Sequence, residues 1–258
     1  MPDPNHPTLS LTGKVILITG ASRGIGRAAA IRMSRAGAQV AINYNRSESE
    51  AAALVAELGE ERTLAVRADV GNAAEVETMI DAVVARFGRL DILVNNAATF
   101  DINPFDGADF TAWKRGWERT FAVNVFGAAH AAFLAMRVMR KNGGGKIINV
   151  ASRAAYRGET EFADYGASKA ALVNLTISIA RGCAHDNIIA SCVAPGFIET
   201  DMARSELAAH HDEIINQIPL RRVGTPEDIA AAIHYLASPM GDYINGATID
   251  VNGGSWFH

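Results

Sequence analysis

The segment 14-KVILITGASRGIG-26 decides the fold. Its first six residues are β-branched and apolar enough for a buried strand, and glycines 20, 24 and 26 follow where the chain turns into a helical run that begins at 24. A strand that turns through glycines into a helix lets the backbone approach a pyrophosphate at the helix N-terminus. A tight turn uses glycine as well, so the pattern gains weight from what surrounds it. Further Val- and Ile-rich runs lie at 38–43, 63–68, 90–95, 146–151, 188–193 and 247–251. Helical periodicity covers 24–36, 47–58, 73–87, 111–141, 162–183 and 225–238, the last opening on Thr225-Pro226-Glu227-Asp228 as a capped start. This alternation predicts an α/β fold: a single doubly wound Rossmann-type domain, with a seven-stranded, mostly parallel sheet and helices on both faces. Ligands of such sheets lie at the carboxyl ends of the strands, where strand order reverses.

The rest of the composition is consistent with one such domain over 14–258, behind a loose, proline-bearing arm at 1–13. Of the 258 residues 49% are apolar, which suits a packed core, and the net charge of −4 gives no basic patch for nucleic acid or an anionic membrane. No run of eighteen apolar residues suggests a membrane span. Two cysteines, Cys183 and Cys192, read as small buried residues of a reduced, cytoplasmic protein. The seven histidines show no metal-ligand spacing, so no metal is expected.

The end of the second strand bears on the dinucleotide. A carboxylate there would hold a ribose 2′-OH, as NAD sites do. Here the chain reads 43-NYNRS-47, with Arg46 beyond the strand and Arg23 in the glycine turn. Two guanidiniums with Asn45, Ser22 and Ser47 favour a 2′-phosphate, hence NADP(H). The plain alternative is that Arg46 faces water.

Within 161-EFADYGASKAALVNLTISIA-180, Tyr165 and Lys169 stand one turn apart on the same helix face. Ser152 closes the fifth strand, and Asn124 interrupts an apolar helix at 121-FAVNVFGA-128. Together with 19-TGASRGIG-26, Asp69-Val70, 95-NNAA-98, 195-PGFIETDM-202 and 250-DVNGG-254, in this order and over nearly the whole chain, these residues resemble the short-chain dehydrogenase/reductase family, in the compact single-domain form of 3-oxoacyl-carrier-protein reductases and ketoreductases.

The resemblance implies an oxidoreductase in which Tyr165 exchanges a proton with a carbonyl or alcohol oxygen. Ser152 polarises that oxygen, Lys169 lowers the phenol pKa and holds the nicotinamide ribose, and Asn124 holds a water toward Lys169. It also implies cofactor contacts from Gly20, Ser22, Arg23, Gly24, Ile25, Gly26, Asn45, Arg46, Ser47, Asp69, Val70, Asn96, Ala97, Tyr165, Lys169, Pro195, Gly196, Ile198 and Thr200. For Asn96 turn chemistry, and for Asp69 a helix cap, stand as simpler readings. The family's carrier-protein reductases place basic residues before the fifth and sixth strands. This chain has 142-NGGG-145 and Asp186 there, with Arg140, Lys141 and Lys146 nearby as substitutes.

A substrate loop is expected at 197–222, with Phe197, Met202 and Leu207 as a partly apolar lid, Ser205 and 210-HHDE-213 in a mobile part, and Arg153 and Tyr156 beside Ser152 as contacts to a polar or anionic group. The family is tetrameric, and the alanine-rich faces 122–136 and 162–175 and the tail 255-SWFH-258 suit subunit contacts. Three functions follow: an NADP(H)-dependent reductase of ketones or 3-oxoacyl groups, an NAD(H)-linked dehydrogenase of a sugar, steroid or polyol, and an NADPH-binding sensor without turnover.

Overall fold

The computed structural model describes residues 8–106 and 109–258, without the side chains of Met202, Ser205 and Glu206. Seven strands form one sheet: β1 (Val15–Ile18), β2 (Gln39–Tyr44), β3 (Thr63–Arg67), β4 (Ile92–Asn95), β5 (Gly145–Val150), β6 (Ile188–Pro195) and β7 (Thr248–Val251). Their order is β3-β2-β1-β4-β5-β6-β7, and every pairing is parallel. The expected "mostly parallel" sheet is therefore wholly parallel. The chain winds outward from β1 in one direction and from β4 in the other, which opens a crevice at the carboxyl ends of those two strands.

The sheet is buried on both faces because its strands alternate into two cores. Ile16 and Ile18 point into one with Ala29, Met33 and Ile233; Val15 and Leu17 point into the other with Val83, Ala131 and Met139. The first core is covered by α1 (Gly24–Arg35) and α9 (Pro226–Ala237), with Leu54 of α2 (Glu48–Leu58). The second is covered by α3 (Ala73–Phe87), α5 (Ala128–Lys141) and the end of α7 (Ala163–Gly182). Caps set the helix starts: Asn72 accepts from Ala74 N, Asp109 from Thr111 and Ala112 N ahead of α4 (Phe110–Phe121), and Thr225 with Asp228 forms a capping box.

Four boundaries differ from the sequence reading. The expected arm of 1–13 docks in its second half: Leu11 is 1% exposed in the first core and donates its N–H to Ala36 O, and Leu9 O meets His234. Residues 1–7 lie outside the described residues. The helix expected over 111–141 is continuous but carries a π turn at Ala122–Gly127. The turn 153–160 holds a short helix, α6 (Ala154–Arg157). The 197–222 loop holds α8 (Arg204–Asn216), kinked at His210, where φ is −130° and ψ 28°. Ile214 and Ile218 anchor it at 4% and 2% exposure, a spacing that the polar run 210–213 hides. By length and composition the helix Phe110–Lys141 could cross a membrane; in this fold Ala131, Ala132, Ala135 and Met139 along it are buried.

Candidate active site

The glycine turn of 20–26 is held from three sides. Asn43, at the end of β2, accepts from Gly20 N at 3.1 Å and donates to Ala68 O at 3.0 Å, so one amide links β1, β2 and β3. Asn96 donates to Thr19 O and Gly20 O at 2.9 and 3.0 Å, and the Thr19 hydroxyl accepts from Asn96 N and Ala97 N. Gly20 and Gly24 have φ of 62° and 55°. A Cβ on Gly26 would fall 2.5 Å from Gly20 O and 2.6 Å from Asn96 Nδ2, so that position admits only glycine. The turn delivers α1 with no side-chain cap and no acid in its first turn, unlike α3 and α9. Its uncapped N–H groups and glycine cradle fit a dinucleotide pyrophosphate.

Asn43 and Thr19 escaped the sequence reading of the site. Asn43 is 2% exposed at the end of an apolar strand, and that burial of a polar side chain is the signal. Asn96 was expected to face the cofactor; its side-chain amide is spent on the turn. Asp69 accepts from Gly71 N, Val70 is buried, and the cap of α3 is Asn72 rather than Asp69. Asn45 and Arg46 are exposed, as is Arg23, and Ser22 and Ile25 belong to the turn, buried and half-buried. Ser47 heads α2 with no side-chain cap bond.

Across the crevice, β6 ends at Pro195. Gly196 N donates to Val251 O, Ile198 bridges Gly224, and Thr200 Cγ2 lies 3.4 Å from where a Cβ on Gly24 would stand. A cleft of about 540 Å³ lies between Gly24 and Arg27 on one side and Thr200, Arg204, Leu207 and Glu227 on the other. The side chains of Met202, expected on the lid, and Ser205, expected in the mobile part of the loop, lie outside the described residues.

Ser152, Tyr165 and Lys169 converge at the end of β5. Ser152 Oγ accepts from Ala154 N at 3.1 Å, which fixes its rotamer toward α7. Lys169 is 2% exposed; its Nζ donates to Val150 O at 2.8 Å and lies 5.4 Å from the centre of the Tyr165 ring. Phe100 meets that ring edge-on at 5.0 Å. Burial pushes the phenol up to about 12, with the Ser152 hydroxyl acting in the opposite direction and Glu159 in the same one. Against the expectation of a lowered value, the phenol of the protein alone is raised, because desolvation exceeds the opposing Ser152 hydrogen bond. Tyr165 stands protonated at neutral pH. Burial likewise pushes Lys169 down to about 8.

That value carries a stability consequence. Lys169 binds its proton less tightly folded than unfolded, so stability rises as pH passes from about 8 toward 10.5. Urea titrations should show wild type gaining on the order of 2 kcal/mol relative to Lys169→Met between pH of about 7.5 and 10. A constant difference would mean that the ammonium is not held against its solvation.

Asn124 is buried in the π turn. Its Oδ1 accepts from Thr99 N, its Nδ2 donates to Thr99 O and Ser168 Oγ, and Ser168 in turn bonds Tyr165 O. The side chain clamps the strand-β4 loop beside Phe100 to the turn of α7 that carries Tyr165. A π turn adds a residue to the helix and so redirects that side chain.

The tail turns back on its own chain: His258 stacks on Tyr156 at 3.9 Å and lies 3.1 Å from Asp250. Phe257 is left 78% exposed. Among the described residues no three His, Cys, Asp or Glu side chains come together at metal-binding distance.

A wholly parallel doubly wound sheet, a glycine turn at its switch point and a Ser-Tyr-Lys cluster facing that turn define a Rossmann-type oxidoreductase. The family profile described as enoyl-(acyl carrier protein) reductase matches residues 20–255. A 3-oxoacyl-[acyl-carrier-protein] reductase of Synechocystis sp. is 38% identical over 250 residues, covering 95% of this chain and 98% of the relative. Among solved structures, a short-chain dehydrogenase of Burkholderia cenocepacia in complex with NADP is 35% identical with a TM-score of 0.87, covering 95% and 98% of the two chains. A 7α-hydroxysteroid dehydrogenase complexed with NADH and 7-oxo glycochenodeoxycholic acid is 34% identical with a TM-score of 0.89, covering 95% of each. The chain belongs to the short-chain dehydrogenase/reductase family and is an enzyme acting on C=O or CH–OH groups.

Proposed function

We propose that the protein is an NADP(H)-dependent reductase of a ketone or 3-oxoacyl group, with Tyr165 as the acid/base. The observation that carries this reading is Tyr165 between Ser152 and the buried Lys169, at the carboxyl end of the sheet where a glycine turn delivers an uncapped helix N-terminus. The reduced nicotinamide, when bound, supplies hydride to the carbonyl carbon. Tyr165 gives its proton to the carbonyl oxygen, and Ser152 holds that oxygen by a hydrogen bond. Lys169, tethered to Val150 O, brings a positive charge that would hold the ribose hydroxyls and stabilises the phenolate left when Tyr165 has given its proton. Asn124 keeps Tyr165 in register through Ser168. Pro195, Gly196, Ile198 and Thr200 would close over the nicotinamide, Asp69 and Val70 would meet the adenine, and Asn96 and Ala97 would line the adenosine ribose and the nicotinamide side.

Two features favour a free small molecule over a carrier-protein thioester. Of the three cations near the ends of α5 and the start of β5, Arg140 is paired with Asp186 at 2.6 Å, and Lys146 is spent on Leu236 O, Ser238 O and Asp242. An acidic carrier would have to compete with those partners. The test is a panel of ketones and oxoacyl thioesters followed by NADPH absorbance. Turnover of ketones is expected; tight NADPH binding without any turnover would return the sensor reading, and a preference for NADH with sugars, steroids or polyols the dehydrogenase reading.

A homotetramer belongs to this proposal, as does a cytoplasmic setting with Cys183 and Cys192 reduced. Phe126, Phe133 and Ile177 are 55, 59 and 40% exposed on the π turn, α5 and α7, a large apolar area for a lone chain to leave in water. Light scattering should give four times 27.4 kDa, and Phe133→Glu a smaller species. A monomer at micromolar concentration would remove this part of the reading.

A further inference from the structure

The buried charged groups are few, and most are satisfied. Asp91 is paired by Arg89, Lys169 donates to Val150 O, and Asp164 accepts from Thr120 through one oxygen, its Oδ1 having no partner among the described residues. Arg153 differs. It is 4% exposed, and its Nη1 is buried with no hydrogen-bond partner among the described residues. Its place is fixed from both sides: it follows Ser152 directly, its N–H donates to Pro195 O at 2.9 Å, and its guanidinium lies 4.4 Å from the centre of the Phe197 ring. An aromatic face cannot accept the in-plane N–H groups of the fork, so the stacking leaves them free for a carboxylate.

Charge around it is unbalanced. Arg157 and Glu159 form a pair at 3.5 Å, which leaves Arg153 as one net positive charge in the turn after Ser152. A buried, unpaired guanidinium is costly to keep, and it is retained within two strand ends of the proposed proton donor. Phe100, packed on Phe162 at 4.4 Å and edge-on to Tyr165, supplies an apolar wall for the remainder of a ligand.

We propose that Arg153 is the anion subsite of the substrate pocket, and that the substrate is an oxo (or, in reverse, hydroxy) monocarboxylate whose carboxylate takes the free Nη1 position when Phe197 moves off the guanidinium. This rests on the reductase reading above and narrows it: one charge matches one carboxylate, and an acyl thioester has no free carboxylate to offer. Phe197 lies in the segment that joins β6 to Thr200, so carboxylate binding and closure of the cofactor cleft are coupled through one loop.

The test measures kcat/KM with NADPH for 3-oxohexanoate and 4-oxopentanoate, each against its methyl ester, together with dihydroxyacetone phosphate and an N-acetylcysteamine 3-oxobutanoyl thioester. Wild type is expected to prefer at least one acid over its ester on the order of 100-fold, the size of a lost charge-assisted bond. In Arg153→Met that ratio should fall to about one, chiefly through KM for the acid, and Arg153→Lys should restore part of it. Equal or better turnover of every ester by wild type overturns the inference, whether or not the variants fold, while leaving the reductase reading intact. Preference for the phosphate over both acids overturns the carboxylate assignment. Turnover of no carbonyl compound, with NADPH still bound, overturns both readings.

Discussion

Replacing Tyr165 by Phe is expected to lower kcat about 1000-fold or more while NADPH still binds. The phenol stands beside Ser152 and keeps its proton at neutral pH, because burial holds it up to about 12. Phenylalanine fills the same space, keeps the edge-on contact with Phe100 and removes only the O–H. The loss therefore falls on proton transfer and not on the fold. Thermal melting should move little, and cofactor titration by nicotinamide fluorescence should change by less than about tenfold, since Lys169 remains in place. Retention of more than a tenth of the turnover would assign the proton to another donor.

The second large effect concerns the cofactor. Arg46→Asp should shift the NADPH-to-NADH ratio of kcat/KM by about 1000-fold in favour of NADH. Losing one charge-assisted bond to a 2′-phosphate accounts for about 1.5–3 kcal/mol, and the new carboxylate both repels the phosphate and can accept from a 2′-OH. Arg46 is exposed just past β2, where nothing buried depends on it, so stability should be unaffected. Arg23→Ala should shift the ratio less, because it removes a cation without placing a carboxylate where a 2′-OH would be held. Kinetics with both cofactors decide the matter, and a wild-type preference for NADH would end the assignment.

Much of this was legible in the order of residues. Strand periodicity and the glycine turn specify a doubly wound sheet because alternation of side chains and the steric freedom of glycine are local properties. The Tyr165–Lys169 pair is local too, being one helical turn. What the chain order hides is where buried polar groups find partners. Asn43 and Asn96 read as a strand end and a turn, yet both amides brace the glycine loop across strands far apart in sequence. The 210-HHDE-213 run reads as a loop, yet Ile214 and Ile218 dock it as a helix.

By itself, then, the sequence determined the sheet, the cofactor turn and which side chains could carry a proton, since each depends on neighbours within a few residues. The tertiary structure alone decided their electrostatics. Burial, with Phe100 edge-on to the ring, keeps Tyr165 an acid and not a phenolate, and Arg153 Nη1, its guanidinium stacked on Phe197, lies buried without a hydrogen-bond partner. Desolvation depends on everything that surrounds a group, and those surroundings come from segments that only folding brings together.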